Sequence, residues 1–223
     1  MKKVLVIAPH PDDETLGCGG TLLRHSLEGD EVHWMVATEM SQVDGFSEKK
    51  INDRDEEIKS VAKAYQFKSV VSLGFLTTRL DDLPILDVIE AMRQEINIIN
   101  PEIIYIPYRN DAHSDHAIVF DAAISCAKTF RQPFIKSIYA YETLSETEWA
   151  APFPDEAFIP TYYERITEAQ LEIKLKAFQF FSTQIKQPPH PRSLQNIEYQ
   201  ARLRGASISC AAAEAFHLIR NID

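Results

Sequence analysis

The chain has few cysteines, no long apolar run, no excess of positive charge and no glycine-rich phosphate loop. Each shortage closes a class of function. Three cysteines (Cys18, Cys126 and Cys210) are an odd number without close spacing. They offer neither a disulfide framework nor a thiolate metal site, and a reducing cytoplasmic location is expected. No apolar stretch approaches the roughly 20 residues of a membrane span. The opening segment Met1 to His10 is apolar only briefly and runs straight into charge, so it reads as a buried first strand rather than a signal peptide. Lysine and arginine number 23 against 33 aspartates and glutamates, a net charge of −10. That balance argues against nucleic acid or an anionic membrane as partner. No internal repeat, low-complexity tract or Gly/Ser linker interrupts the chain, so residues 1–223 are expected to form one domain.

What is present is ordinary globular material, with 45% hydrophobic and 25% charged residues, ample for a core. In the first half, short β-branched runs at 4–8, 32–37, 70–73 and 103–106 alternate with helix-like stretches at 15–27, 47–65 and 84–99. Continuous apolar strands, each followed by an amphipathic helix, predict βαβ units around a parallel sheet with right-handed crossovers. A fifth strand is expected near 137–142, after a helix that begins near His116. The expected fold class is therefore α/β, Rossmann-like, with a mostly parallel sheet and helices on both faces. Prolines at 152, 154 and 160 predict a loop, and two further helices are expected at about 168–182 and 194–204. In the first of these, Leu171, Leu175, Phe178 and Ser182, widened by Ile173 and Phe180-Phe181, predict a core face that includes some subunit interface.

Two clusters carry the chemistry. His10-Pro11-Asp12-Asp13-Glu14 lies where strand 1 ends and the first helix begins, the edge of a parallel sheet at which ligands bind. Its residues do not make a dinucleotide fingerprint, and two carboxylates there would repel a pyrophosphate. Taken singly, Asp and Glu in a first turn read as helix caps. Together, His10 and Asp13 make a normal Zn2+ ligand pair, and Asp12 would hang a second carboxylate beside the metal, where a base belongs. Asp111-Ala112-His113-Ser114-Asp115-His116 follows strand 4 and opens the next helix. A lone His-x-x-His is weak, but two His/Asp clusters at two strand ends supply three protein ligands and an open fourth position, as catalytic zinc requires.

These two motifs resemble the PIG-L/LmbE-like family of zinc-dependent N-deacetylases, which remove acetyl groups from N-acetylglucosamine-type sugars. The resemblance extends through Leu16-Gly17-Cys18-Gly19-Gly20-Thr21, Arg54 with Glu57, Ala201 to Gly205 and Ala213 to Phe216. The segments 141–149 and 189–193 look like the branch found in bacterial sugar and surface-polysaccharide pathways. The resemblance implies that His10, Asp13 and His116 hold Zn2+ and that Asp12 is the general base. It further implies that His113 stabilises the oxyanion or protonates the leaving amine, with Asp115 orienting it and favouring its protonated form, and that Arg54 contacts substrate. His190 is taken as a pocket residue. The implied ligand is a small N-acetyl amino sugar or its conjugate, and the implied assembly a homo-oligomer. Residues 65–67 and 38–40 depart from the family pattern, which puts the sugar in doubt rather than the chemistry. Loops at about 40–50, 76–84 and 150–165 are expected to shape the pocket. Two alternatives stay open: the same amide hydrolysis on a thiol-cofactor precursor or other N-acyl compound, and a metal- or sugar-binding module without turnover.

Overall fold

The computed structural model describes residues 1–222, and one sheet draws its strands from nearly that whole length. In chain order the elements are β1 (Lys3–Ala8), α1 (Asp13–Leu27), β2 (Glu31–Glu39), α2 (Glu48–Ala64), β3 (Ser69–Leu76), α3 (Ile85–Ile99), β4 (Ile103–Pro107), α4 (Ser114–Cys126), β5 (Ser137–Tyr141), β6 (Tyr162–Arg165), α5 (Glu168–Phe178), α6 (Leu194–Ala206) and β7 (Ala213–Asn221). The seven strands run in the order β3-β2-β1-β4-β5-β7-β6. All neighbours from β3 to β5 pair parallel, and β7 alone runs against its neighbours β5 and β6. The fold class is thus the expected α/β one, with a mostly parallel sheet.

The central strands are buried on both faces, which is why they read as unbroken apolar runs. In β1, Val4, Val6 and Ala8 pack on one side with Trp34, Tyr105, Phe178 and Phe216. Leu5 and Ile7 pack on the other with Met92 and Ile96 of α3 and Val119 of α4. Helices therefore cover both faces. The edge strand β3 alternates half-buried and exposed positions instead, as one solvated face demands. No helix is long and apolar enough to cross a membrane among the described residues.

Local chemistry sets the helix starts. Ser47, Thr167 and Ser193 each accept a backbone N–H from the first turn, and Thr167 forms a full capping box with Gln170. Two expectations need correction. The helix expected at 168–182 stops at Phe178, so Ser182 lies outside it; Phe178 and Phe181 are buried, but Phe180 is exposed. Strands β6 and β7 were not expected. Ala213, Glu214 and Ala215 at the start of β7 are poor strand formers, and its pairing with β5 and β6 is made by partners distant in sequence.

The strand order also places the site. From β1 the chain steps outward through β2 to β3, then returns to β4 on the other flank of β1. The carboxyl ends of β1 and β4 therefore border the crevice where strand order reverses, the usual ligand position of open α/β sheets.

Candidate metal and catalytic site

Both motifs converge on that crevice. The turn after β1 carries His10 to Glu14, and the turn after β4 carries Asp111 to His116. The rings of His10 and His113 lie 4.5 Å apart, and each is 5.7 Å from the ring of His116. One oxygen of Asp13, Oδ2, lies 3.3 Å from both His10 Nδ1 and His116 Nε2, and accepts the His10 backbone N–H at 2.9 Å. Asp13 and His116 are fully buried.

Three groups among the described residues bring three candidate ligands close enough to share a cation. In the group of His25, Glu28 and Asp30, both ring nitrogens of His25 are already bonded, to Asp30 and to the Tyr105 hydroxyl. In the group of His10, His113 and Asp115, the Asp115 carboxylate already accepts from His10 Nε2 at 2.9 Å and from the Thr78 and Leu80 amides at 2.9 and 3.2 Å. The third group, His10, Asp13 and His116, differs. Its His116 Nε2 and Asp13 Oδ1 are buried with no hydrogen-bond partner. Buried polar atoms are seldom left so, and His10, Asp13 and His116 bring one ligand atom each within 4.8 Å of one another, a group that fits a cation. The donor set of two imidazoles and a carboxylate suits zinc.

Electrostatics agree. Burial opposes charge on His10 and His116, yet the Asp115 and Asp13 carboxylates raise His10 to about 9, and Asp13 with Asp111 raises His116 to about 10. Against its own burial, Asp13 is held well below the usual carboxylate range by His116 and His10. The pocket draws protons onto the imidazoles of His10 and His116, and a divalent cation would replace that positive charge.

The outer contacts hold the imidazoles in place. His116 Nδ1 bonds Asp111 Oδ2 at 2.8 Å, and Thr147 donates to the other Asp111 oxygen at 2.6 Å. This is the carboxylate–histidine pairing that orients metal ligands. Asp115 does the same for His10, which corrects the expectation that it orients His113. The side chain of His113 instead accepts the Asp115 backbone N–H on Nδ1 at 3.1 Å, which assigns its ring proton to Nε2. Burial and the neighbouring His10 lower its pKa, which opposes the expected imidazolium form.

Asp12 is buried, and burial pushes its carboxyl up to about 6 despite the attraction of Arg192. Its Oδ1 has no partner, while its Oδ2 accepts from Arg192 Nη1 at 3.1 Å. Its backbone sits at φ 136°, and Thr78 and Ser145 close by are also at positive φ. Such strain outside glycine collects at functional sites. Glu14, pushed up to about 8 by burial, accepts the Asp12 amide at 3.1 Å and steadies the turn. Gly17, one turn on, is required because a Cβ there would clash with the Tyr141 ring, whose hydroxyl donates to the Ile7 carbonyl at 2.9 Å.

The crevice opens into a cleft of about 320 Å3, lined among others by His10, Asp12, Arg54, His113, Gln184 and Arg192. Arg54 is buried, donates to the Pro11 carbonyl at 3.0 Å and stacks over Phe181. The expected pocket residue His190 is exposed and absent from the lining; its Nδ1 accepts the Arg192 amide. Met40, Thr77 and Thr78 do line the cleft, but Ala150 to Pro152 and Glu156 to Phe158, from the loop expected to shape it, border a separate groove. Asp111, Glu14 and Arg192 are the residues that motif spacing left without a task. Asp111 stood in the second motif, whereas Arg192 meets Asp12 across 180 positions, beyond any local pattern.

The chain is similar to the uncharacterized deacetylase YaiS of Escherichia coli, with 32% identity over 182 residues, 79% of this chain and 88% of that protein. Its fold matches the N,N'-diacetylchitobiose deacetylase of Pyrococcus horikoshii, with a TM-score of 0.76, 22% identity and coverage of 98% of this chain and 84% of that one. It also matches the 4-carboxy-2-hydroxymuconate hydratase GalB of Pseudomonas putida, with TM-score 0.73, 17% identity and coverage of 98% and 96%. Fold likeness therefore spans more than one reaction. The family resemblance is more specific: residues 5–127, which hold both motifs and every candidate ligand, match the PIG-L family, described as GlcNAc-PI de-N-acetylase, and the chain belongs to that family.

Proposed function

We propose that the protein is a zinc-dependent N-deacetylase that hydrolyses the acetamide of an N-acetylated amino sugar or its conjugate to acetate and the free amine. The observation that carries this reading is the set of three unpartnered buried atoms, His116 Nε2 and Asp13 Oδ1 in the group that could share a cation and Asp12 Oδ1 on the adjacent residue, open to a proton. His10, Asp13 and His116 would hold the zinc. Bound there, the metal supplies a Lewis acid for the acetamide carbonyl and makes a water molecule more acidic.

The remaining work falls to side chains. Asp12 receives the proton of the attacking water on Oδ1 and returns it to the leaving nitrogen; a carboxyl raised to about 6 suits both directions near neutral pH. His113, neutral with its proton on Nε2, donates to the carbonyl oxygen as negative charge develops there, a contribution of about 3 kcal/mol for a well-placed donor. Asp115 and Asp111 fix the rings of His10 and His116. Thr38, Glu39, Thr77, Thr78 and Gln184 line the cleft with partners suited to sugar hydroxyls, and Arg54 is the proposed substrate contact at its wall.

Asp12→Asn separates this reading from a binding module without turnover. The variant is expected to keep its zinc, measured by elemental analysis, and to release amine from N-acetylated sugars about 10²–10⁴-fold more slowly. Near-normal turnover in that variant, or no amine release and no zinc in the unaltered protein, would overturn the proposal.

A further inference from the structure

Arg192 has no part in the chemistry above, yet it is one of the most heavily engaged side chains in the cleft. Its side chain is only 16% exposed, and its guanidinium meets three different segments. Nε donates to Ser145 Oγ at 2.7 Å, and Nη2 approaches Glu146 Oε1 at 3.3 Å. Nη1 donates both to Gln184 Oε1 at 2.8 Å and to Asp12 Oδ2 at 3.1 Å. The turn that presents it is fastened by the His190 ring, which accepts the Arg192 amide at 3.1 Å. Two of its partners, Asp12 and Ser145, have positive φ without being glycine.

From this geometry, and resting on the reading of Asp12 as the base, we infer that Arg192 is a positioning residue that divides the labour between the two oxygens of Asp12. Oδ2 is held by the guanidinium and Oδ1 is left free, so Oδ1 is the oxygen that takes and returns the proton. A guanidinium is suited to this because it stays charged and does not surrender a proton to the carboxylate it holds. Because Nη1 is shared with Gln184 and Nε is fixed by Ser145, the arginine cannot follow Asp12 if the carboxylate turns. The base is thereby locked about its last torsion by a residue 180 positions away. His190, expected to line the pocket, acts at one remove by holding the backbone of Arg192.

The test is Arg192→Met, with Arg192→Ala for chemical rescue. With an N-acetylated sugar that the unaltered enzyme turns over, kcat is expected to fall about 10–100-fold, the usual cost of losing an outer-shell partner. Zinc content should stay at the unaltered level, and KM should change far less than kcat. Millimolar guanidinium should restore part of kcat in Arg192→Ala and do nothing for Asp12→Asn. A kcat within about twofold of the unaltered enzyme, a rise in KM alone, or loss of zinc together with activity would each overturn the inference. A crystal structure of Arg192→Met, with or without metal, reads the same point without turnover. The Asp12 carboxylate is expected to rotate away from its present orientation, and an unmoved carboxylate overturns the inference. Failure of the unaltered protein to release amine would count against the function instead, and leave this structural reading to stand or fall by itself.

Discussion

Two buried charged clusters lie along the same helix, and they are built on opposite terms. At the start of α1 stand Asp12, Asp13, His10 and His116, with three polar atoms unpartnered. One turn further on, where α1 kinks at Cys18, lies the fully buried pair of Lys174 and Glu214, 2.6 Å apart. There both charged groups are bonded more than once. Lys174 also donates to the Leu16 carbonyl at 3.0 Å, while Glu214 accepts from the Gly20 and Thr21 amides and the Thr21 hydroxyl. The Gly20 amide and the Leu16 carbonyl are an i→i−4 pair spanning the kink, so the ion pair satisfies what the break in the helix disturbs. A buried charge cluster that is fully bonded is a structural splint. One that leaves ligand-type atoms bare, in the same chain and at similar depth, is shaped for something that arrives from outside.

The largest expected effect tests the bare cluster. His116→Ala should lose zinc and reduce amine release on the order of 10⁴-fold or more. Elemental analysis beside the assay checks it, and full zinc occupancy in the variant would place the metal elsewhere. The splint comes next. Lys174→Met leaves the Glu214 carboxylate buried without its counter-charge and should cost about 3–5 kcal/mol in denaturant unfolding. Adding Glu214→Gln should recover much of that loss, since an amide still accepts the Thr21 hydroxyl and one amide N–H. A loss below about 1 kcal/mol in the single variant would remove the distinction between the clusters.

Asp111→Ala probes the satisfied rim of the bare cluster and should weaken zinc binding about 10–100-fold by freeing the His116 ring. Unchanged affinity in a competition titration with a chelator would deny Asp111 that role. The smallest effect has the opposite sign from the splint's. Burial raises the Asp12 carboxyl above its ordinary value, so its ionised form at neutral pH opposes folding. Asp12→Asn removes that cost while its amide oxygen can still face Arg192. The metal-free variant should therefore be more stable by about 0.5–2 kcal/mol, even as activity falls. A lower melting temperature would show that the site carries no such burden.

Much of the site was legible in order along the chain. Runs such as Val4 to Ala8 and Ile103 to Ile106 read as parallel strands because burial on both faces leaves no room for polar alternation. The His10 and His113 motifs follow those strands directly, so their convergence could be anticipated. The pairing inside the cluster was harder. Asp115 was expected to serve its neighbour His113 and instead bonds His10, 105 positions away, because the turn after β1 brings that ring closer than the helix geometry brings His113. The helix expected to reach Ser182 ended early, and β7 hid behind poor strand formers whose burial comes from β5 and β6.

Sequence alone determined which residue types stand at the two strand ends, and with them the charge and the resemblance to the family. Those depend on local period and adjacency, which survive in a linear string. Only the tertiary structure decided which carboxylate holds which imidazole, which oxygen of Asp12 stays free, and that Arg192 rather than His190 enters the cleft. Hydrogen bonds act over about 3 Å and demand direction. Partners 105 or 180 residues apart therefore become neighbours only when the sheet order and the returning C-terminal segment set them there.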